Sequence, residues 1–441
     1  MRPVVSIIGR PNVGKSTLFN RLVGRRRAIV HGTPGVTRDR IFSLADLIGG
    51  VVWLVDTGGL EPGKEEGIPG VIHRQVEAAA KEANLLLAVF DGCDGLTSVD
   101  EEVISKLRRT GKPIVGVVNK VDPGSKKASI DDFHRLGLES LVEISAEHGS
   151  GLDSLRETIL ARLGPFSDTE EKEKTPGQSE VAFVGRPNVG KSSLINAILR
   201  TPRMAVSEIP GTTRDVIDTP VVENGVPYLL LDTAGIRKRM KVDTDVEYYS
   251  VLRALRAIDR ADVVVLVVDA TGGITTQDAR IAAAAIEKGT GLLVAVNKWD
   301  LVDEGPKKRN TFREDLYAEA PFLSFADVKF VSAKTGLGVD GILSATHRIF
   351  RNLNRKFTQA ELTEAFDAIG EAHPPMGKQG YRLRMHKLTE GEDRVLTFFV
   401  WCNDPRLVDE AYVRYWRNAI GERFELWGVP LRVIFRKKAK K

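Results

Sequence analysis

GRPNVGKS occupies residues 9–16, and the same eight letters return at 185–192. Each copy satisfies the pattern G-x-x-x-x-G-K-[ST]. Each follows a short apolar run, Val4–Ile8 or Val181–Val184, and leads into a stretch of helical character. That strand–loop–helix setting is what a phosphate-binding loop requires. In the first copy, Gly9, Arg10, Pro11, Asn12, Val13, Gly14, Lys15 and Ser16 make the loop. The glycines let the backbone curl so that successive N–H groups face a β-phosphate. Lys15 neutralises β- and γ-phosphate oxygens, and the Ser16 hydroxyl is placed for Mg²⁺. Gly185, Arg186, Pro187, Asn188, Val189, Gly190, Lys191 and Ser192 repeat the arrangement. A Gly-rich turn with an incidental lysine would account for one such match, but hardly for two identical ones in this setting.

The repetition extends outward. PGVTRD at 34–39 matches PGTTRD at 210–215, and DTGG at 56–59 matches DTAG at 232–235, all 176 residues apart like the octapeptide. NKVD at 119–122 matches NKWD at 297–300 after 178 residues, and SAEHG at 145–149 matches SAKTG at 332–336 after 187. The growing interval predicts small surface insertions in the second copy around Asp303–Ala326. A period of this size is a whole domain, so the chain is a tandem duplication. Apolar runs at Val4–Ile8, Val51–Val55, Leu85–Phe90, Ile114–Val118 and Leu141–Ile144 predict strands. Their counterparts are Val181–Val184, Tyr228–Leu231, Val263–Val268, Leu292–Val296 and Val328–Val331. Helix-like stretches such as Val76–Ala83, Glu101–Arg109 and Gln277–Lys288 lie between them. Apolar strands alternating with helices predict an α/β class with two doubly wound, mostly parallel sheets. The expected division is domain 1 at 1–164, an acidic, polar, flexible linker at 165–179, domain 2 at 180–352 and a third domain at 353–441. The third reads as α-β-β-α-β: helix Gln359–Glu371, strands Tyr381–Leu388 and Arg394–Cys402, helix Val408–Ile420 and strand Leu431–Phe435.

The remaining repeated motifs supply base selection and metal binding. Asp56 and Asp232 close apolar strands, the expected place for a water-mediated Mg²⁺ anchor. Thr57, Gly58 and Gly59, like Thr233, Ala234 and Gly235, follow them, and a glycine there can offer its N–H to a γ-phosphate. Thr37 and Thr213 are candidates for a second Mg²⁺ hydroxyl when their loop closes over a triphosphate. In Asn119-Lys120-Val121-Asp122 and Asn297-Lys298-Trp299-Asp300, the aspartate can accept from N1–H and the exocyclic amine of guanine. Adenine has no N1 donor and would leave that carboxylate unpaired. Asn119 and Asn297 would touch the purine edge and brace the phosphate loop, and the lysine stems would lie along the ring. Ser145-Ala146 and Ser332-Ala333 suit a backbone contact to O6. Five motifs in fixed order, twice, predict two GTP/GDP sites with Mg²⁺.

Composition narrows the setting. The 441 residues are 42% hydrophobic and 28% charged, which excludes wholesale disorder, and no apolar run is of bilayer length. Cys93 and Cys402 cannot form a disulfide framework or a thiolate cage, and a cytoplasmic protein is expected. The net charge is +5, and residues 355–441, with 17 basic and 12 acidic side chains, carry all of it. That bias favours a polyanionic partner, nucleic acid above all, or else reflects a solvated basic tail. Arg237, Lys238, Arg239 and Lys241 after the second D-T-A-G present charge to RNA or to a neighbouring domain, or simply begin a solvated helix. The GKQG at 377–380 has the spelling of an RNA-gripping G-x-x-G loop but lies between a helix and a strand, so that role is not transferred to it.

Two such cassettes followed by an α-β-β-α-β unit resemble the Der (EngA) family of bacterial GTPases, two tandem P-loop GTPase domains and a KH-like domain. The resemblance covers essentially the whole chain. It implies GTP hydrolysis serving assembly of the large ribosomal subunit, with rRNA as partner. It also implies nucleotide-dependent docking of GTPase domain 1 on the KH-like domain; the chain itself is expected to be monomeric. Leu60 and Ile236 stand where many GTPases have a water-orienting glutamine, so catalysis must come from elsewhere. The sequence is similar to a branch in which the loop asparagine, here Asn12 and Asn188, helps bind K⁺; such an ion would supply charge between α- and γ-phosphates. Lys15, Thr37, Lys191, Thr213, Asn12 and Asn188 are the candidate catalytic residues. The competing classes are a GTPase partner in RNA modification and a metabolic phosphotransferase. The first lacks a thiol or cofactor domain, the second a substrate domain.

Overall fold

The most apolar runs become the innermost strands. The computed structural model describes residues 2–23, 42–47, 50–56, 83–121, 130–165, 177–201, 204–206, 218–231, 246–302, 306–374, 383–393 and 395–437. In the first copy these give β1 (Val4–Ile8), α1 (Lys15–Val23), β2 (Phe42–Leu47), β3 (Gly50–Asp56), β4 (Leu85–Asp91) and α2 (Ser98–Arg108). They continue with β5 (Ile114–Asn119), α3 (Ile130–His134), β6 (Leu141–Glu143) and α4 (Leu152–Leu163). The sheet runs β2-β3-β1-β4-β5-β6, parallel except for the β2–β3 pair. Every residue of β1 and β4 is buried, as sheet strands covered on both faces demand.

The second copy contributes β7 (Ser179–Val184), α5 (Lys191–Leu199), β8 (Met204–Val206), β9 (Thr219–Glu223), β10 (Val226–Leu231) and α6 (Val246–Arg260). After them come β11 (Val263–Asp269), α7 (Thr276–Lys288), β12 (Gly291–Asn297), α8 (Pro306–Glu319), β13 (Asp327–Phe330) and α9 (Gly341–Leu353). Its sheet runs β13-β12-β11-β7-β10-β9-β8, with β9 antiparallel to both neighbours. Three antiparallel strands (β2, β8 and β9) were not expected from sequence. β2 reads Phe-Ser-Leu-Ala-Asp-Leu and β9 Thr-Pro-Val-Val-Glu, each broken by polar residues, and β8 is only Met-Ala-Val, so none carries the long apolar run that marks a central strand. Ser179, read as the end of the linker, is the first residue of β7 and fully buried. The added length of the second copy forms α8 and a 3₁₀ turn at Pro321–Leu323, so it is an ordered helix rather than a loop. Most of Val76–Ala83 and all of the GKQG lie outside the described residues.

The C-terminal part is α10 (Gln359–Ala372), β14 (Met385–Glu390), β15 (Thr397–Cys402), α11 (Glu410–Arg423) and β16 (Arg432–Lys437), the expected α-β-β-α-β order. Its first strand starts at Met385 rather than at the expected Tyr381, and a register shift between Met385 and Lys387 interrupts its pairing. The chain divides into two compact units, 1–173 with 243–256 and 174–242 with 257–441. One apolar cluster in the latter runs from Val181 and Leu293 through Ile349 to Phe398 and Trp416, so the second sheet and the C-terminal sheet share a core. Main-chain bonds stitch the same seam: Leu292 N–H donates to the Gly428 carbonyl, and Gly428 N–H to Phe325, both at 2.7 Å. Gly428 has φ +80°, and a Cβ there would meet Ile349 Cδ1 at 2.5 Å, so only glycine fits the seam.

Candidate functional site

Both phosphate loops sit where a largely buried strand ends and a helix starts, β1 into α1 and β7 into α5. Asn12 and Asn188 adopt left-handed backbone, φ 66° and 63°, a conformation that asparagine tolerates better than most residues. The lysine ammoniums fold back onto their own loops. Lys15 Nζ donates to the carbonyls of Gly9 (2.8 Å) and Arg10 (2.7 Å), and Lys191 Nζ to those of Gly185 (2.7 Å) and Arg186 (2.5 Å). In each loop two carbonyl acceptors thereby fix the charge over the loop mouth. Burial pushes the Lys15 ammonium below its ordinary value, and the nearby Asp56 carboxylate partly restores it. Ser16 Oγ donates to Asp56 Oδ2 at 2.6 Å. A hydroxyl and a carboxylate in contact are a hard-oxygen set that suits Mg²⁺. Asp232, Thr37, Thr213 and the residues Thr57–Leu60 and Thr233–Ile236 lie outside the described residues, as does Asp122.

The base-side residues lock onto the loops. Asn119 Nδ2 donates to the Val13 carbonyl (2.8 Å), while its Oδ1 accepts from Ala146 N–H (2.9 Å). Asn297 repeats both bonds with Val189 (2.8 Å) and Ala333 (3.0 Å). Each amide therefore ties the phosphate loop to the serine–alanine segment. Gly14 and Gly190, at φ +92° and +96°, receive those amides so closely that any Cβ would collide with them. Asp300 Oδ1 accepts from Ser332 Oγ at 2.6 Å, which orients the carboxylate proposed to read guanine. Lys120 and Lys298 stand in left-handed backbone and donate to Asp91 (2.5 Å) and Asp269 (2.6 Å). Val13 and Val189 are buried and serve through their carbonyls. Trp299 is buried too, packed on Phe312 and Phe330, so its ring belongs to the core and is withdrawn from the pocket.

Several residues here escaped the motif reading. Asp91 and Asp269 end β4 and β11; Asp100 and Asp278 are buried capping-box residues at the starts of α2 and α7. Arg186 Nε reaches Asp278 at 2.8 Å. Arg10 divides itself between Asp94 (3.0 Å) and Asp100 (3.6 Å). Neither arginine is free to act on a phosphate without breaking an ion pair. Arg21 of α1 donates through Nε to the Ala146 carbonyl (2.9 Å), a second brace on that segment. The signal was present: Asp91/Asp269 and Asp100/Asp278 recur 178 residues apart, the interval of the N-K-x-D motifs.

Known proteins match the chain in the same places. The model described as "50S ribosome-binding GTPase" matches residues 4–120 and 180–298. The one described as "KH-domain-like of EngA bacterial GTPase enzymes, C-terminal" matches 356–436. The chain is 42% identical over 438 residues to GTPase Der of Caldanaerobacter subterraneus subsp. tengcongensis, with 99% of each chain covered. It is 41% identical over 440 residues to GTPase Der of Desulforudis audaxviator, with 100% of each covered.

Proposed function

Since the chain belongs to the GTPase Der family, and so binds and hydrolyses GTP with Mg²⁺, we propose that it is a GTP-driven switch in assembly of the large ribosomal subunit, working in the cytoplasm. The observation that supports a switch with two equivalent inputs is the Asn119 and Asn297 bridge, built twice with the same partners. It ties the phosphate loop to the serine–alanine segment in each pocket, so a guanine held by that segment and phosphates held by the loop would be gripped by one linked frame. Lys15 and Lys191 hold charge over the loop, and Ser16 with Asp56 would hold Mg²⁺, which supplies charge neutralisation at the β- and γ-phosphates. The residues at 60 and 236 are aliphatic and cannot orient water. We therefore assign K⁺ stimulation to Asn12 and Asn188, both exposed at the loop mouth. We also assign docking of domain 1 (1–164) on the KH-like domain (353–441), with 165–179 as linker and 180–352 as domain 2.

Retention on large subunits with a non-hydrolysable GTP analogue, and release with GDP, tests the switch. Equal retention in both nucleotides would remove it. The K⁺ assignment fails if turnover is the same in KCl and NaCl at matched ionic strength. Asp300→Asn tests base reading: the amide can donate to the 2-oxo group of xanthine, so the second pocket should trade GTP for XTP while the first keeps GTP.

A further inference from the structure

Alternation along β14–β16 sends Leu388, Phe398, Val400, Cys402, Val433 and Phe435 into the shared core. The opposite face carries a different chemistry. Pairing aligns Lys387 with Trp401 and Arg436 across the three strands, and Thr389 with Phe399 and Ile434 one step along. Phe399 and Trp401 are two residues apart on the central strand, hence about 7 Å apart on one face. Each ring already carries a cation: Lys387 Nζ is 5.5 Å from the Trp401 centroid, and the Arg436 guanidinium carbon is 3.7 Å from that of Phe399. Trp401 Nε1 donates to Thr389 Oγ1 at 2.9 Å, which fixes the plane of the indole. Ile434 is one of only three large apolar side chains found exposed among the described residues. No carboxylate occupies an outward position on these strands; Glu390 turns away, accepting from Phe357 N–H and pairing with Lys356.

We propose that this face is a platform for single-stranded RNA. One base stacks on Trp401 and the next on the Arg436 guanidinium that covers Phe399, while Lys387 meets the phosphates. The choice of RNA rests on the ribosomal role proposed above. A half-buried indole beside a guanidinium plane that covers the buried Phe399 ring, edged by Lys387 and with no carboxylate outward on these strands, matches the requirements of unpaired bases on a charged backbone. A duplex would offer the rings no open base face. A protein surface would answer the cations with carboxylates but leave the indole face and the Arg436 guanidinium without planar partners.

The test uses the full chain carrying Trp427→Phe, because Trp53, Trp299 and Trp416 are buried and Trp401 then reports alone from the surface. The probe is an unstructured labelled oligoribonucleotide of about 10 nucleotides, within the usual span of such sites. Expected are saturable binding, quenching of Trp401 emission, and a duplex of equal length binding much more weakly. Charge reversal at two exposed positions, Lys387→Glu with Arg436→Glu, should weaken oligonucleotide binding about tenfold or more and lessen its salt dependence. GTP hydrolysis and the thermal transition should not change. Unaltered affinity in the double variant, equal competition by duplex, no quenching, or no binding by the parent protein would each overturn the platform. Large-subunit retention is scored separately: oligonucleotide binding without retention removes the ribosomal reading and leaves the platform. Retention undiminished by the double variant, with no oligonucleotide binding, removes the platform and leaves the ribosomal reading.

Discussion

At the scale of single residues, each pocket depends on an amide that has no slack. Gly190 combines φ +96° with a Cβ position already filled by the Asn297 amide. Gly190→Ala should therefore abolish nucleotide binding in the second pocket alone, taking the stoichiometry in equilibrium dialysis from about two to about one. The arginine pairs differ between copies: Arg186 relies on Asp278, whereas Arg10 also has Asp94. Asp278→Asn should weaken GTP binding in the second pocket about five- to tenfold, and Asp100→Asn should matter less in the first, measured with the other pocket disabled. The lysine pairs predict a pH response. Burial pushes the Asp269 carboxyl up, but the Lys298 ammonium and the Thr271 hydroxyl and amide outweigh it, leaving it below the ordinary 3.8. A depressed carboxylate contributes stability above its unfolded value and loses it as pH falls through the folded one. Unfolding midpoints should thus fall on acidification below about pH 4, and less steeply in Asp269→Asn. The motif letters exposed the residues that face a ligand. They did not expose Asp91, Asp269, Asp100 or Asp278, which act one contact behind and carry no tetrapeptide of their own.

At the scale of elements, the parallel strands were legible because strands covered on both faces must be apolar throughout. Helices α2, α7 and α10 were legible in their bodies, and their capping boxes, Thr97/Asp100, Thr275/Asp278 and Thr358/Glu361, set their starts. The antiparallel strands at the margins were not legible, since β2 and β9 mix polar residues into their apolar runs and β8 is three residues long. In α7 the cap has a further duty. Thr275 Oγ1 donates to the same Asp278 carboxylate that holds Arg186. Thr275→Ala should cost about 1 kcal/mol of stability by urea unfolding. It should also loosen nucleotide binding in the second pocket, which an isolated cap defect would not do.

At the scale of the molecule, a duplicated cassette with a basic third domain was readable from spacing and charge. The seam between the second sheet and the third domain was not, because it is made by backbone atoms, by a glycine at φ +80° and by aliphatic side chains that any core would contain. Gly428→Ala should lower stability by about 2–4 kcal/mol in urea unfolding, since both backbone strain and the Ile349 contact oppose it. The seam leaves the third domain no hinge of its own. Like a handle cast in one piece with its blade, it must point wherever the second catalytic cassette points. If RNA anchors that handle, the second pocket is parked at a fixed address on it.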